Sequence, residues 1–327
     1  MQDIYFNPAY GKMCELVDDG PCCRFVLKTD SGRIVNQFIK RSVPFLINGK
    51  QYYDIVTPYG YGGPIVTEVH DKAKLLEEYR ERFAAYCAEN EIICEFVRYH
   101  PILKNYEDFT SIYDNVYSRH TVGTNLADYE DPVQSEFSKS ARREVRKGEK
   151  AGVICKVFPH PDDLSVFRAL YEETMDRNHA GAMYYFPDKY YEMLTGPLRD
   201  FVLEIRAYLG TEVIASEIYF ITNGLMHAHL LGSNQIMLEI GGGAILEATA
   251  ARWGKANGYR YIHHGGGRSS EPDDPLYLYK KKFGKNTEFD FYIGKKVWDP
   301  EIYNKAVSIR LSLGEIMNPA YFPIYRG

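Results

Sequence analysis

The chain has 327 residues, 45% of them hydrophobic and 25% charged, and its 39 Lys and Arg against 44 Asp and Glu leave a formal net charge of −5. That composition is ordinary for a globular protein long enough for two domains; it excludes wholesale disorder and collagen-like structure and argues against a dedicated nucleic-acid binder. No apolar run approaches the roughly 18 residues of a membrane span, Met1-Gln2-Asp3-Ile4-Tyr5 lacks the basic and apolar regions of a secretory signal, and the six cysteines form no C-x-x-C pair, so a cytoplasmic protein without disulfide scaffold or zinc ribbon is expected.

Extended, alternating segments dominate the first sixty residues. Arg24 to Thr29 and Arg33 to Lys40 flank Asp30-Ser31-Gly32, and Val43 to Ile47 and Tyr52 to Val56 flank Asn48-Gly49; both joints predict hairpin turns. After the Gly/Tyr loop Pro58 to Pro64 comes a predicted helix over Lys72 to Asn90, with Leu75, Tyr79, Phe83, Tyr86 and Cys87 on one face. It feeds an apolar strand, Ile92 to Val97.

The later half predicts the same order again. Helices are expected at Leu164 to Arg177 and around Pro187 to Leu194, then strands at Phe201 to Tyr208, Val213 to Ile221 and Leu225 to Leu231, joined by turns at Gly210 and Asn223-Gly224. Gly241-Gly242-Gly243, a helix from Ala244 to Asn257 and a strand from Tyr259 to His263 complete the unit. A meander, a glycine-rich turn, a helix and a parallel strand therefore occur twice, which favours two similar α/β lobes. The charged stretch Lys139 to Gly152 is the candidate boundary, and Pro300 to Ile316 reads as a helical tail.

Chemistry can be sought where backbone is accessible. The Gly241–Gly243 triplet precedes a helix whose N-terminal amides suit a phosphate, although a tight strand-to-helix turn accounts for the glycines equally well. A second glycine run, His263-His264-Gly265-Gly266-Gly267-Arg268-Ser269-Ser270, ends the next strand, where ligands of α/β sheets tend to sit. Downstream, Tyr279-Lys280-Lys281-Lys282-Phe283-Gly284 sets lysine between aromatics, either as a charge-stabilising group or as a solvated basic turn. At 100° per residue Lys139, Arg142, Arg143, Arg146, Lys147 and Lys150 fall on one helical face opposite Ala141, Val145 and Gly148. That face is either solvated or a docking surface for phosphate groups of a nucleotide or a tRNA. His227, His229, His263 and His264 have no acidic or cysteine partner at ligand spacing, so no metal centre is read. The 28 tyrosines fit half-buried strands, or a polar cleft lined by phenols.

Four motifs in this order resemble the FemABX-like branch of the GNAT acyltransferase superfamily: Tyr59-Gly60-Tyr61-Gly62-Gly63-Pro64, Ser140 to Gly152, Trp253 to Tyr259, and Gly265-Gly266-Gly267 leading to Leu276 through Gly284. The resemblance spans about residue 50 to residue 290. It implies α/β lobes with mixed sheets, two in tandem with a cleft between them: residues 1–145 with 300–327 packing back, and residues 146–299. It also implies transfer of an amino acid from aminoacyl-tRNA to an amine on a peptidoglycan precursor, or acyl-CoA-dependent acylation of an amino sugar or small amine. A catalytically silent tandem-lobe binding protein is the alternative outside the enzymes. The family's aromatic-Lys-x-x-Phe lysine matches Lys280 as the catalytic residue. Gly241, Gly242 and Gly243 are the expected seat of the carrier's phosphates, but the Gln/Arg that heads the usual CoA loop is absent from Leu238-Glu239-Ile240. Tyr59, Tyr61, Arg98 and Arg268 are the expected contacts to the acceptor, and the Lys139 to Lys150 helix is the expected contact to a tRNA.

Overall fold

The computed structural model describes residues 3–314 and 318–327. After a short 3-10 turn at Ile4–Phe6 the chain forms α1 (Pro8–Cys14), the hairpin β1 (Cys22–Thr29) and β2 (Gly32–Ser42), then β3 (Tyr53–Val56) and β4 (Ile65–Val69). Next come α2 (Lys72–Glu89), β5 (Ile92–Arg98) and the long β6 (Asp114–Asn125). Two helices follow, α3 (Pro132–Glu136) and α4 (Lys139–Lys150), then β7 (Val153–Pro159), α5 (Ser165–Arg177) and α6 (Asp188–Thr195). The meander β8 (Val202–Leu209), β9 (Glu212–Thr222) and β10 (Leu225–Ser233) leads to α7 (Gln235–Ile240), α8 (Ala244–Ala256) and β11 (Tyr261–Gly265). The chain ends with α9 (Pro275–Lys281), β12 (Glu288–Val297) and α10 (Pro300–Ser312). Residues 315 and 316 of the expected C-terminal helix lie outside the described residues.

The chain divides into two compact units. The first comprises residues 10–118 and 291–327. Its strands run in the order β1-β2-β3-β5-β12, with β4 also on β2, and β3 and β5 are parallel across the α2 crossover. Asp71 caps α2 by accepting a bond from the Lys74 amide, and Leu75, Tyr79, Phe83 and Cys87, each four residues apart, are its buried face. Burying a large apolar side chain of this kind stabilises by about 1.5–3 kcal/mol. A second cluster joins Val43, Ile47, Ile93 and Cys94 to Ile302, Tyr303, Ala306 and Tyr325 of the C-terminal segment. Buried Asp54 fixes that segment, because it takes the Arg41 and Arg326 guanidiniums, each at 2.6 Å, and the Tyr325 hydroxyl at 2.9 Å.

The second unit comprises residues 1–9 and 119–290, with strand order β6-β11-β10-β9-β8-β7. Asp3 anchors the N-terminal residues on β10 through His227 at 2.8 Å. The parallel ladder between β10 and β11 covers only Leu225 to His227, opposite Tyr261 to His263, while β10 runs on to Ser233. A bulge between Ala228 and Leu230 bends β10 at this point. The strands therefore part near the residues that follow β11. Helix α4 lies within this unit: Ser138 caps it, and Ala141, Val145 and Gly148, at i, i+4 and i+7, are buried.

Sequence and structure differ at several elements. Val43 to Ile47 is not a strand; only an isolated bridge between Ile47 and Lys50 closes the Asn48-Gly49 turn. The third strand of the second meander begins as expected, but β11 starts two residues later than the expected Tyr259. Strands β4, β6, β7 and β12 and helices α1, α3, α7 and α9 were not expected at all. The reason for β6 is visible in its composition, Asp-Asn-Val-Tyr-Ser-Arg-His at its start, mostly polar residues that are exposed or half-buried and carry no apolar alternation.

Two predictions follow from buried groups here. Glu95 on β5 is buried among neutral donors: Asn36 at 2.8 Å, Tyr113 at 2.9 Å and Trp298 at 3.2 Å. Burial raises its pKa from 4.5 to about 7, against those three hydrogen bonds. The folded state then holds the proton more tightly than the unfolded chain, so this contribution is complete below about pH 4.5 and disappears as pH rises through 7. In urea titrations Glu95→Gln should gain stability over the parent with rising pH, by up to about 3 kcal/mol; an advantage independent of pH would refute this. Separately, a methyl on Gly242 would lie 2.8 Å from the Gly148 Cα and 3.0 Å from its nitrogen, backbone that cannot give way. Gly242→Ala should lower the melting temperature, at a cost of about 1–3 kcal/mol, measurable by calorimetry.

Candidate active site

Lys280 projects from α9, which is held in place by Asp274. The Asp274 carboxylate accepts the amides of Leu276 at 3.0 Å and Tyr277 at 2.9 Å through one oxygen. Through the other it accepts the amides of Arg268 at 3.0 Å and Ser269 at 2.9 Å. These donors, led by the Tyr277 amide, hold its pKa down to about 2. Gly267 has no room for a side chain, since a Cβ would meet the Asp274 carboxylate at 2.5 Å. The cap therefore fixes the glycine run after β11 and the helix after it as one piece.

Three consecutive lysines then diverge. Lys281 pairs with Glu288 at 2.9 Å and Lys282 with Glu144 at 3.4 Å. Lys280 turns to the glycine run and donates to the Gly266 carbonyl at 2.8 Å. Burial lowers its pKa to about 8, against the charges of Glu247 and Asp274, so the ammonium is close to giving up its proton at neutral pH. Tyr279 meets the buried Phe283 edge-on, with ring centres 5.4 Å apart.

Facing this lysine is a cluster that the sequence reading missed. Strand alternation puts Glu217 and Tyr219 on one face of β9, and Glu247 sits in the first turn of α8. The Tyr219 hydroxyl donates to Glu247 at 3.1 Å. His264 Nδ1 lies 3.6 Å from the other Glu247 oxygen, and its Nε2 lies 2.8 Å from the Thr124 hydroxyl. All four of Glu217, Tyr219, Glu247 and His264 are buried. Burial, with the Glu247 charge, pushes Glu217 well above the carboxylate range; burial also raises Glu247, with Tyr219 and Lys280 opposing it. Burial, with Lys280, drives the His264 pKa down to about 3, so the ring is neutral. The signal was present in the sequence: each glutamate interrupts an otherwise apolar face, Ala215-x-Glu217-x-Tyr219-x-Ile221 on the strand and Ala244 to Ala251 on the helix.

The glycine triplet has divided roles. Gly241 ends α7 in the left-handed region at φ 62°, and Gly242 admits the backbone of α4 at Gly148. Gly243, at the cap of α8, is open, with nothing within 4 Å of an added Cβ. The Lys147 ammonium of α4 lies 3.6 Å from the Cβ position of Gly241. Of the basic face of α4, Lys139, Arg143, Arg146, Lys147 and Lys150 are exposed. Arg142 folds back onto the Gln134 and Phe137 carbonyls. Arg268 is exposed at the turn after β11.

Tyr59, Tyr61 and Arg98 come together in the first unit. The Arg98 side chain donates to the carbonyls of Gly60 at 3.1 Å and Pro58 at 3.0 Å, and to that of Thr57. Those bonds tie the Gly/Tyr loop to the end of β5. Tyr59 is 61% exposed, and its carbonyl accepts from the Tyr10 hydroxyl at 2.8 Å. Tyr61 packs edge-on against Phe291, with ring centres 5.3 Å apart.

With this geometry in place, comparison with known proteins gives the family of the domain. Residues 135–281, which include α4, the glycine triplet, the buried carboxylates and Lys280, match the model of the acetyltransferase (GNAT) domain. None of the curated proteins matches the sequence. Among solved structures the chain is similar to FemX, with a TM-score of 0.68 at 11% identity over 92% of this chain and 94% of that one. It is also similar to the C-terminal domain of a putative lysylphosphatidylglycerol synthetase from Agrobacterium fabrum, with a TM-score of 0.56 at 11% identity over 95% and 92% of the two chains. L-PGS from Bacillus licheniformis gives 0.56 at 13% identity over 92% and 91%. No described helix is long and apolar enough to cross a membrane. Residues 135–281 are thus a GNAT acetyltransferase domain, set in a chain with a mixed α/β fold of the kind seen in FemX.

Proposed function

We propose that the chain transfers an acyl or aminoacyl group from an activated carrier to an acceptor amine. The observation that carries this reading is Lys280: a partly desolvated ammonium, held on the Gly266 carbonyl within the matched domain while both neighbouring lysines pair outward. Acyl transfer to an amine passes through a tetrahedral oxyanion and expels a poor leaving group. The nitrogen must attack as neutral amine. Backbone amides of β10 beyond His227, where the ladder with β11 has ended, are the natural donors to the oxyanion. Lys280, with a pKa of about 8, can neutralise the leaving group or hand it a proton. Arg268, exposed beside the same glycine run, is the proposed contact to substrate in this unit.

The match to an acetyltransferase domain supports a thioester such as acyl-CoA as carrier. Its phosphates would meet Gly243 and the α8 N-terminus, with the Lys147 ammonium beside Gly241. A second reading, aminoacyl-tRNA, rests on the five exposed basic residues of α4 together with the resemblance to the FemABX-like branch. An amine on a peptidoglycan precursor is the acceptor which that resemblance favours.

Calorimetric titration with CoA and acetyl-CoA at fixed salt separates the two carriers. Binding in the micromolar range, about −8 kcal/mol, selects the thioester; no heat with CoA, joined to ribonuclease-sensitive transfer, selects tRNA. Lys280→Ala should lower kcat at least tenfold, about 1.4 kcal/mol of transition-state stabilisation, with an unchanged melting temperature. Near-normal turnover in that variant removes Lys280 from the mechanism. Gly243→Ala should leave stability intact, because its φ of −53° is helical and the space is open, yet weaken the binding of a phosphate-bearing carrier.

A further inference from the structure

The segment Trp253 to Tyr259 at the end of α8 takes no part in the acyl-transfer reading. Packing accounts for Gly254, since a Cβ there would meet the Met226 sulfur at 2.6 Å. Lys255 has a structural task, because its ammonium holds the carbonyls of Tyr129 at 2.6 Å and Leu126 at 3.2 Å. Trp253, Asn257 and Tyr259 are left, and all three line a cavity of about 630 Å³, large enough for a small ligand. His160 after β7, Asp200 before β8 and Thr222 at the end of β9 line it as well. Asn257 caps α8 about 15 Å along the helix from Glu247, so this cavity is separate from the Lys280 site.

What the lining offers a ligand follows from where its own protons are engaged. Asn257 is anchored by donating from Nδ2 to the Trp253 carbonyl at 2.8 Å, which leaves Oδ1 to accept. Thr222 donates its hydroxyl proton to the Asp3 carboxylate at 3.2 Å and keeps only lone pairs. His160, held at a left-handed φ of 55°, has Nδ1 3.3 Å from the Arg199 carbonyl. Nδ1 therefore carries the proton, and Nε2 of the neutral ring is an acceptor. Asp200 is exposed, and two neighbouring guanidiniums are engaged elsewhere: Arg199 with Asp162 at 2.8 Å, and Arg260 over the Tyr261 ring. The half-buried Trp253 indole stacks on Tyr259, with ring centres 5.5 Å apart and 27° between the planes. A carboxylate, further acceptors and an indole in one cavity attract a cation, best a flat one that stacks on the ring and spreads several N–H donors.

We propose that this cavity binds a guanidinium group, that of an arginine, stacked on Trp253 with its N–H edge on Asp200. A carboxylate takes a guanidinium through two parallel N–H···O bonds. Asn257 Oδ1, Thr222 and His160 Nε2 serve the remaining donors. An ammonium is a compact, strongly hydrated point charge and gains less from the ring. The neutral isostere, a urea, exchanges a donor for a carbonyl oxygen and brings no charge to Asp200. Binding here is a second recognition event, independent of the transfer proposed at Lys280.

Tryptophan reports on the site directly. The chain has only two, and the other, Trp298, donates its indole N–H to Glu95 in the first unit. With both indoles labelled with 15N and assigned from a Trp253→Phe variant, the full chain is titrated at constant ionic strength with the Nα-acetyl amides of arginine, lysine and citrulline. The Trp253 N–H resonance should shift saturably with the arginine compound, while Trp298 stays in place. The lysine compound should bind at least roughly fivefold more weakly, and the citrulline compound should give no saturable shift. Asp200→Asn, a change at an exposed side chain, should weaken arginine binding at least about tenfold. A Trp253 resonance indifferent to the arginine compound overturns the site, and this titration of the parent protein decides it whether or not any variant folds. Equal binding of lysine overturns the guanidinium assignment, and equal binding of citrulline, or an Asp200→Asn variant that binds as well as the parent, overturns the pairing with Asp200. Free arginine then identifies the source: tighter binding of the blocked form assigns the site to an arginine within a peptide, tighter binding of the free form to the amino acid, and either result upholds the guanidinium site.

Discussion

The short ladder between β10 and β11 is the constraint on which the candidate site depends. Three paired residues hold the two strands together, enough to fix β11 in the sheet. Beyond them each strand end is free to serve a different element. On one side β10 bends through its bulge and leads to α7 and α8, which deliver Glu247. On the other, β11 runs into His264 and a glycine run pinned by Asp274, and so positions Lys280. A longer ladder would satisfy more backbone groups and would close the space in which these side chains meet.

Buried charge is handled in three ways in this molecule, and the differences separate scaffold from site. Asp54 is met by two guanidiniums and a phenol and acts as a clamp. Glu95 has three neutral donors and, among the described residues, no cation within hydrogen-bond reach, so burial keeps it protonated to about pH 7. Glu217 and Glu247 have the weakest compensation: one phenol donates to the pair, and the cation acting on it is bonded elsewhere. A carboxylate left so poorly satisfied is costly to the fold. It is also well suited to accept a proton.

Much of the fold was legible, for a physical reason. Helix α2 and the β8-β9-β10 meander carry apolar residues at the spacing of their own secondary structure, and Gly210 and Asn223-Gly224 mark the turns between strands. Strand β6 was invisible because its first half is polar and exposed, held by its neighbours rather than by its own pattern. Lys280 was legible as a lysine between aromatics, but its inward turn was not, since Lys281 and Lys282 look identical in sequence and differ only in the carboxylates they meet. Arg98 shows the converse. Its place at the end of β5 fits a substrate contact, and only the coordinates reveal how many of its donors are bonded to the loop Thr57 to Gly60. Gly242 reads as part of a phosphate loop until the backbone of α4 is found packed against it.

Neither compact unit is a continuous stretch of chain, and this bears on biosynthesis. During translation the first unit has its meander, α2 and β5 long before β12, α10 and Arg326 emerge; the bond from Arg326 to Asp54 spans 272 residues. The N-terminal residues must likewise wait for β10, since Asp3 and His227 are 224 positions apart. Closing such long loops slows folding and leaves strand edges unpaired in the interval. Asp54 therefore waits for its partner until Arg326 has been synthesised, about 60 residues and roughly three seconds or more after β11 at usual elongation rates.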